Sequence, residues 1–367
     1  MHDVARIQSC VRNRLNRRGI KKRRIAGIIG DAPSLYAKSP PLWNAVFRAL
    51  KLKAIYLPFD VEESRLGDLV SALKKSDQVL GVNVTVPYKL KIIEYLDGLD
   101  ERAAPIKAIN TVVRTADGQL IGYNTDGKGF MESVMLPQPG QPGSFLDSLD
   151  GTNVLIIGAG GAARAVALHL AETVGKGQVL ICNRTPVSAL SLAEDIQRIF
   201  GNARALKEEE IGEYAPTAGL IVNCSTKGQG GIRRTRDGKI TIMEPYSALA
   251  PANPAALSES EYGRPEFYRA WLQASLSDIE TNNRSSWDLS LSIPLETGFC
   301  DLIYHPEESV FLRHGRLSGH RTLNGKGMIV HQAVEALFKI CGDLLQTLGT
   351  PPTETRKLVS HIMWTAW

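Results

Sequence analysis

Lys89 stands just past the run Gly81 to Val86, which Pro87 closes. The run is apolar and β-branched. Proline has no amide hydrogen to give to a ladder, so a strand over 81–86 must stop there. Lys89 is then expected at the carboxyl end of that strand or in the turn beyond it, where open α/β sheets gather their ligands. A lysine partly stripped of water in such a crevice can exchange protons near neutrality. A lone lysine is more often solvated, so its company matters. Ala108-Ile109-Asn110-Thr111 and Asn124-Thr125-Asp126-Gly127 follow, each beside a strand-like or turn-like segment. Asn110 offers both a donor and an acceptor, and Asp126 supplies a carboxylate. An amine and a carboxylate converging on one substrate hydroxyl would form a proton-transfer pair.

A second chemistry lies downstream. Val154 to Ile157 is a continuous apolar run, as in a central parallel strand. Gly158-Ala159-Gly160-Gly161-Ala162-Ala163 follows, and helix formers run from Arg164 to Ala171. Strand, glycine turn and helix start together let backbone amides approach a pyrophosphate. Gln178 to Cys182 is the next strand, and Asn183-Arg184-Thr185 stands at its end. A carboxylate there would hold a ribose diol, whereas an arginine accommodates a 2′-phosphate, so Arg184 favours NADP over NAD.

These segments, in this order, resemble the shikimate/quinate dehydrogenase family, and the likeness runs from about Gly27 to about Cys341. The lysine motif matches at Asn83 to Lys89, the Ala-x-Asn-Thr motif at Ala108 to Thr111, and the Asn-Thr-Asp-Gly motif at Asn124 to Gly127. The glycine turn matches at Gly158 to Ala163, and the Asn-Arg-Thr segment at Asn183 to Thr185. Asn223-Cys224-Ser225-Thr226 is similar to a segment near the nicotinamide, and Asp301 to Tyr304 and Gly325 to Gln332 resemble two further family segments. The resemblance implies that Lys89 and Asp126 are the catalytic pair. It also implies that Ser39, Thr85, Asn110, Tyr304 and Gln332 contact substrate. Gly158, Gly160, Gly161, Ala162, Asn183, Arg184, Thr185, Cys224 and Ser225 would line the cofactor, NADP or NAD. No metal is implied.

Three departures qualify the likeness. The family's Ser-x-Ser or Ser-x-Thr carboxylate clamp falls on Ala37-Lys38-Ser39, so one hydroxyl is gone and only Ser39, with Tyr36 or Ser34 as substitute donors, remains. Ser188 stands where NADP users often carry a second cation. Between Gly228 and Asp301 the chain is far longer than the family's usual connection, an insertion of about 229–298 rich in Pro, Ser, Asn and Glu, with a short helix expected over 269–279.

The elements needed to position these groups are legible in outline. Strands are expected at 26–30, 54–58, 81–86 and 111–114, and a loop-rich boundary over Pro137 to Gly143. The fold class is α/β with two domains: an N-terminal α/β substrate-binding domain over 25–130, and a Rossmann-type dinucleotide-binding domain over 131–327. The amphipathic run Met328 to Ile340 begins a C-terminal part, 328–367, that returns to complete the first domain, with the site expected in a crevice between the two. Residues 1–24 hold nine cations against Asp3 alone, a net of +8, so the remainder carries −3 of the total +5. They read as a flexible basic extension, with organelle targeting left open.

Composition limits the rest. The 43% hydrophobic and 22% charged content is that of an ordinary globular protein, and no apolar run could span a bilayer. Five cysteines without Cys-x-x-Cys spacing suit a reducing compartment, the cytoplasm, rather than a disulfide framework or zinc site. No motif for specific nucleic-acid binding is present. The expected partners are a small molecule (shikimate, 3-dehydroshikimate or quinate) and at most a second copy of the chain, as monomer or homodimer. The expected activity is NAD(P)-dependent, reversible oxidation of shikimate to 3-dehydroshikimate. A quinate-preferring or diverged paralogue and a non-catalytic metabolite sensor are the alternatives.

Overall fold

The computed structural model describes residues 2–20, 22–235 and 237–367. The chain forms two compact units, Met1–Glu132 joined by Met328–Trp367, and Ser133–Gly327.

The first unit is built on a six-stranded mixed sheet. Its strands are β1 (Arg24–Gly30), β2 (Ala54–Asp60), β3 (Val79–Val84), β4 (Gly98–Leu99), β5 (Thr111–Arg114) and β6 (Leu120–Tyr123). They lie in the order β2-β1-β3-β5-β6-β4. β1 runs parallel to β2 and β3, while β5 is antiparallel to both β3 and β6. Side chains alternate across the pleat and so feed two cores. Ile25, Ile29, Val82 and Val84 face one, with Leu66, Leu69 and Leu73 of the helix Leu66–Lys74. Ala26, Ile28 and Leu80 face the other, against Trp43 and Phe47 and against Val330, Ala333, Val334 and Leu337 of the helix Lys326–Gln346. β3 ends at Val84, two residues before the expected limit, and Lys89 falls in the turn that follows.

The basic extension is folded, which corrects the expectation of a flexible arm. Residues His2–Cys10 form a helix, and Ile7, Cys10, Val11, Leu15 and Ile20 are buried in the first core. Asn13 donates to the Pro58 carbonyl and accepts from the Asp60 amide at 2.8 Å, and the Arg12 amide donates to the Asp60 carbonyl. This segment therefore covers the free edge of β2, a place where an open strand would invite pairing with another chain. Charge had concealed the apolar repeat at 7, 10 and 11.

The second unit carries a parallel sheet of β7 (Val154–Ile157), β8 (Val179–Cys182), β9 (Ala203–Leu206), β10 (Leu220–Asn223), β13 (Gly298–Asp301) and β14 (Thr322–Leu323), in the order β14-β13-β10-β7-β8-β9. Between β10 and β13 stand the antiparallel pair β11 (Ile232–Arg234) and β12 (Ile240–Ile242) and a helix of 27 residues, Glu266–Ser292. The expected short helix over 269–279 is thus the first half of a much longer one. Ile240, Met243, Tyr246, Phe267 and Trp271 give the insertion a small core of its own. No helix among the described residues is long and apolar enough to cross a membrane.

Candidate active site

In the first unit the Lys89 ammonium donates to Asp126 Oδ2 at 2.6 Å, with both side chains largely withdrawn from solvent, 15% and 5% exposed. Asp126 opens the helix Asp126–Met135, whose positive end favours a carboxylate, and its amide is held by Asn124 Oδ1 at 2.9 Å. Asn110 Nδ2 donates to the other carboxylate oxygen, Oδ1, at 2.8 Å. The carboxylate is thus fixed from two sides, and it in turn fixes the lysine.

Behind this pair runs a chain of buried polar groups. Tyr56 Oη donates to Asn83 Oδ1 at 2.7 Å, and Asn83 Nδ2 to Thr111 Oγ1 at 3.0 Å. Thr111 Oγ1 donates to Asn110 Oδ1 at 2.9 Å, and the Thr125 amide donates to that same oxygen at 2.8 Å. Ser39 stands at the far end, hydrogen-bonded to Tyr56, whose hydroxyl is pushed well up by burial, with Ser39 opposing. Along Tyr56, Asn83, Thr111 and Asn110 each side chain donates to the next, and the last donates to Asp126, while the Thr125 amide steadies Asn110 from the other side. Buried polar groups so connected polarise one another and hold one arrangement, because an unpaired member would be costly.

Gln332 joins from the helix Lys326–Gln346. Its Oε1 lies 3.3 Å from both Asn110 Nδ2 and Thr125 Oγ1. Gly129 makes the approach possible, since a Cβ there would meet Gln332 backbone and Cβ atoms at 2.7 Å. A charged cluster backs this contact: His331 Nδ1 pairs with Glu132 at 3.1 Å, and Arg356 spans Glu132 and Glu335 at 3.1 and 2.9 Å. Burial acts to raise both carboxyls, but the His331 hydrogen bond with Arg356 at Glu132, and Lys128 with Arg356 at Glu335, outweigh it and hold each below its ordinary value.

The structure therefore brings together Lys89, Asp126, Asn110 and Gln332, and links Ser39 to them through Tyr56. Thr85 lies at the end of β3, its amide bonded to the Ile29 carbonyl. Neither substitute for the lost clamp hydroxyl is idle: Ser34 Oγ donates to Asp60, and Tyr36 Oη donates to Asp31 at 2.8 Å. Sequence reasoning missed Tyr56, Asn83 and the Glu132–His331–Arg356 cluster. Asn83 had a signal, as an amide side chain inside an otherwise apolar strand.

The remaining candidates sit in the second unit. Gly158 follows β7 with φ of 122°, and a Cβ there would meet the Cys224 carbonyl carbon at 2.7 Å and the Ser225 nitrogen at 2.9 Å. Only glycine lets the turn pack on the end of β10 in that conformation. Gly160 begins the helix Gly161–Thr173, and a Cβ there would meet nothing within 4 Å. The turn just before the first helical amides, Ala162 among them, is thus unobstructed at Gly160, which fits the approach of a pyrophosphate. Arg184 is exposed, makes no ion pair among the described residues, and lies between Asn183 and Thr185, which is the cap of the helix Pro186–Phe200. Asn183 Nδ2 bonds the Thr185 carbonyl at 3.0 Å, so the arginine projects from a braced turn. Burial, with Asp301 adding to it, pushes the Cys224 thiol well up, which keeps it protonated and argues for a packing role rather than a nucleophile. Tyr304 is half-buried, its hydroxyl raised by that burial.

Residues 28–112 match the family model described as the shikimate dehydrogenase substrate binding domain, and 143–242 the one described as shikimate / quinate 5-dehydrogenase. The shikimate dehydrogenase (NADP(+)) of Symbiobacterium thermophilum is 34% identical over 84% of this chain and 86% of its own length. The chain belongs to the shikimate dehydrogenase family. Among solved structures, a shikimate dehydrogenase in complex with NADP+ matches with a TM-score of 0.64 at 26% identity, covering 92% of this chain and 95% of that one. The quinate dehydrogenase of Corynebacterium glutamicum in complex with NAD also matches, with a TM-score of 0.64 over 91% of this chain and 98% of that one. At 23% identity the latter likeness is one of fold alone, so the fold does not separate shikimate from quinate as substrate.

Proposed function

We propose that this protein is a shikimate dehydrogenase that uses NADP in preference to NAD and interconverts 3-dehydroshikimate and shikimate. The observation that carries the reading is the buried Lys89–Asp126 pair, fixed by Asn110 within a family of dehydrogenases. Nicotinamide, when bound, supplies the hydride that the ketone carbon accepts. The chain supplies the proton and the geometry. In the reducing direction the Lys89 ammonium gives one proton to the ketone oxygen as that oxygen takes up negative charge, leaving a neutral amine to be reprotonated. In the oxidising direction the neutral amine takes the hydroxyl proton. Asp126 keeps the amine aimed in both directions. Asn110 and Gln332, held against one another at 3.3 Å, present amide groups to ring hydroxyls, and Thr85 serves the same substrate.

The cofactor residues fit this preference. The open amides after Gly160 would hold the pyrophosphate, and exposed Arg184 would meet a 2′-phosphate with no carboxylate in its segment to oppose it. A second substrate reading rests on Ala37, which leaves Ser39 as the only hydroxyl of the expected clamp, itself bonded to Tyr56. Quinate is the alternative substrate on that ground. The test is initial rates with shikimate and with quinate, each with NADP and with NAD. Highest kcat/KM for shikimate with NADP is expected; a preference for quinate would replace the substrate assignment. No turnover with either, together with a shikimate-dependent rise in Tm, would make the protein a sensor.

A further inference from the structure

The helix Glu266–Ser292 buries Phe267, Trp271, Ser275, Asn282, Ser286 and Ser290, and leaves a second, apolar stripe uncovered. Tyr268, Leu272 and Leu276 are 55%, 47% and 48% exposed. Spaced by four, they drift only about 40° per step around the helix and so form one continuous ridge. Three large apolar side chains in a row, on a segment that already has its own core, are more than scattered surface hydrophobics.

The charges beside the ridge say what covers it. Arg269 and Glu280 lie about 60° and about 80° round from Leu272, on the same flank, and Glu266 and Arg284 lie farther out on that flank, each at about 120°. All four are exposed, and among the described residues none of them makes an ion pair. Along the chain they read acid, base, acid, base. In an antiparallel pair of identical helices, groups on one flank meet groups on the same flank of the copy, in reverse order. Arg269 then meets Glu280 of the second copy, and Glu266 meets Arg284. Leu272 packs against Leu276. The midpoints of these pairings fall at Ala274, at Ser275 and halfway between them, so one two-fold axis satisfies them to within half a residue. In a parallel pair each flank faces the opposite flank of the copy, so Arg269 and Glu280 would lie on opposite sides of the seam and would not meet.

We propose that this helix is a homodimer interface, in which two copies of the chain pack their Glu266–Ser292 helices antiparallel about an axis near Ala274. One pair of crossed helices is expected to bury less than the roughly 800 Å² per partner of a stable interface, so the dimer is expected to be reversible and to dissociate on dilution. Its charged flank makes it salt-sensitive.

Sedimentation velocity on the full chain over about 1 to about 100 µM tests this. The expected result is a monomer–dimer equilibrium that shifts towards monomer at high salt. Arg269→Glu sets two acids against each other at each end and should raise the dimer Kd at least about tenfold, with kcat and Tm unchanged. The swap Arg269→Glu/Glu280→Arg restores opposite charges and should restore the dimer; this rescue is beyond any variant that merely unfolds. Monomer at every concentration overturns the proposal, as does a dimer indifferent to Arg269→Glu and Leu276→Glu. Failure of the swap to rescue overturns the antiparallel register.

Discussion

The Lys89 pocket and the glycine turn after β7 reach function by opposite routes. In the pocket, side chains do everything: from Ser39 through Tyr56, Asn83, Thr111 and Asn110 to Asp126, polar groups are matched donor to acceptor and kept from water. In the turn, side chains are what must be missing. Gly158 yields its Cβ to the Cys224–Ser225 backbone, and at Gly160, just before a helix start, a Cβ would meet nothing within 4 Å. Chemistry that depends on atoms present is lost by substitution while the fold persists. A surface that depends on atoms absent is lost by addition, and the local packing goes with it.

Asp126→Asn keeps the shape that Asn110 grips but removes the anion beside Lys89. We expect kcat with shikimate to fall about 10²-fold or more, with little change in KM or Tm. An equal loss in Tm would make the pocket structural, like the turn.

The next effect concerns the braces of the turn. Asp301 accepts from Ser309 at 2.5 Å, from the Ile303 amide at 2.9 Å and from Asn223 at 3.0 Å, and Asn223 holds Ser225. Burial outweighs these bonds and pushes the Asp301 carboxyl up to about 7. The native state therefore prefers the protonated form more than the unfolded chain does. The contribution of this group to stability is complete below about pH 4 and is lost as pH rises through about 7, a change on the order of a few kcal/mol. Urea unfolding of wild type and Asp301→Asn across that range should diverge, with the wild type losing more as pH rises. Parallel curves would place the charge of Asp301 elsewhere.

The smallest effect lies on the turn's exposed side. Arg184→Ala should raise KM for NADP about 10- to 100-fold, corresponding to about 1.5–3 kcal/mol for a charge-assisted bond, and leave KM for NAD unchanged. Equal loss for both cofactors would make Arg184 a structural residue of the Asn183–Thr185 bend.

Both sites were legible in the sequence to different depths. Lys89, Asn110 and Asp126 stood out because their residue types carry chemistry and because each follows or opens a recognisable element. The glycine turn stood out because an apolar strand and a helix flank it. Tyr56 and Asn83 did not, since the pairing that joins them crosses from β2 to β3 by way of β1 and exists only in the folded sheet. Two segments were misjudged for physical reasons. The N-terminal segment hides Ile7, Cys10 and Val11 between exposed Arg6 and Arg12. The insertion helix buries a face of serines and an asparagine rather than leucines, satisfied by bonds such as those of Asn282 to the Ser247 amide and the Ala250 carbonyl. Such a face carries no apolar periodicity in the sequence.

The Lys89 amine is expected to handle the substrate proton. Steady-state kinetics of Lys89→Ala with shikimate and NADP test it most directly. A kcat lowered roughly 10²–10⁴-fold with KM and Tm near wild type is the predicted result. A variant that keeps kcat and loses only KM would show that Lys89 binds the substrate and leaves the proton to another group.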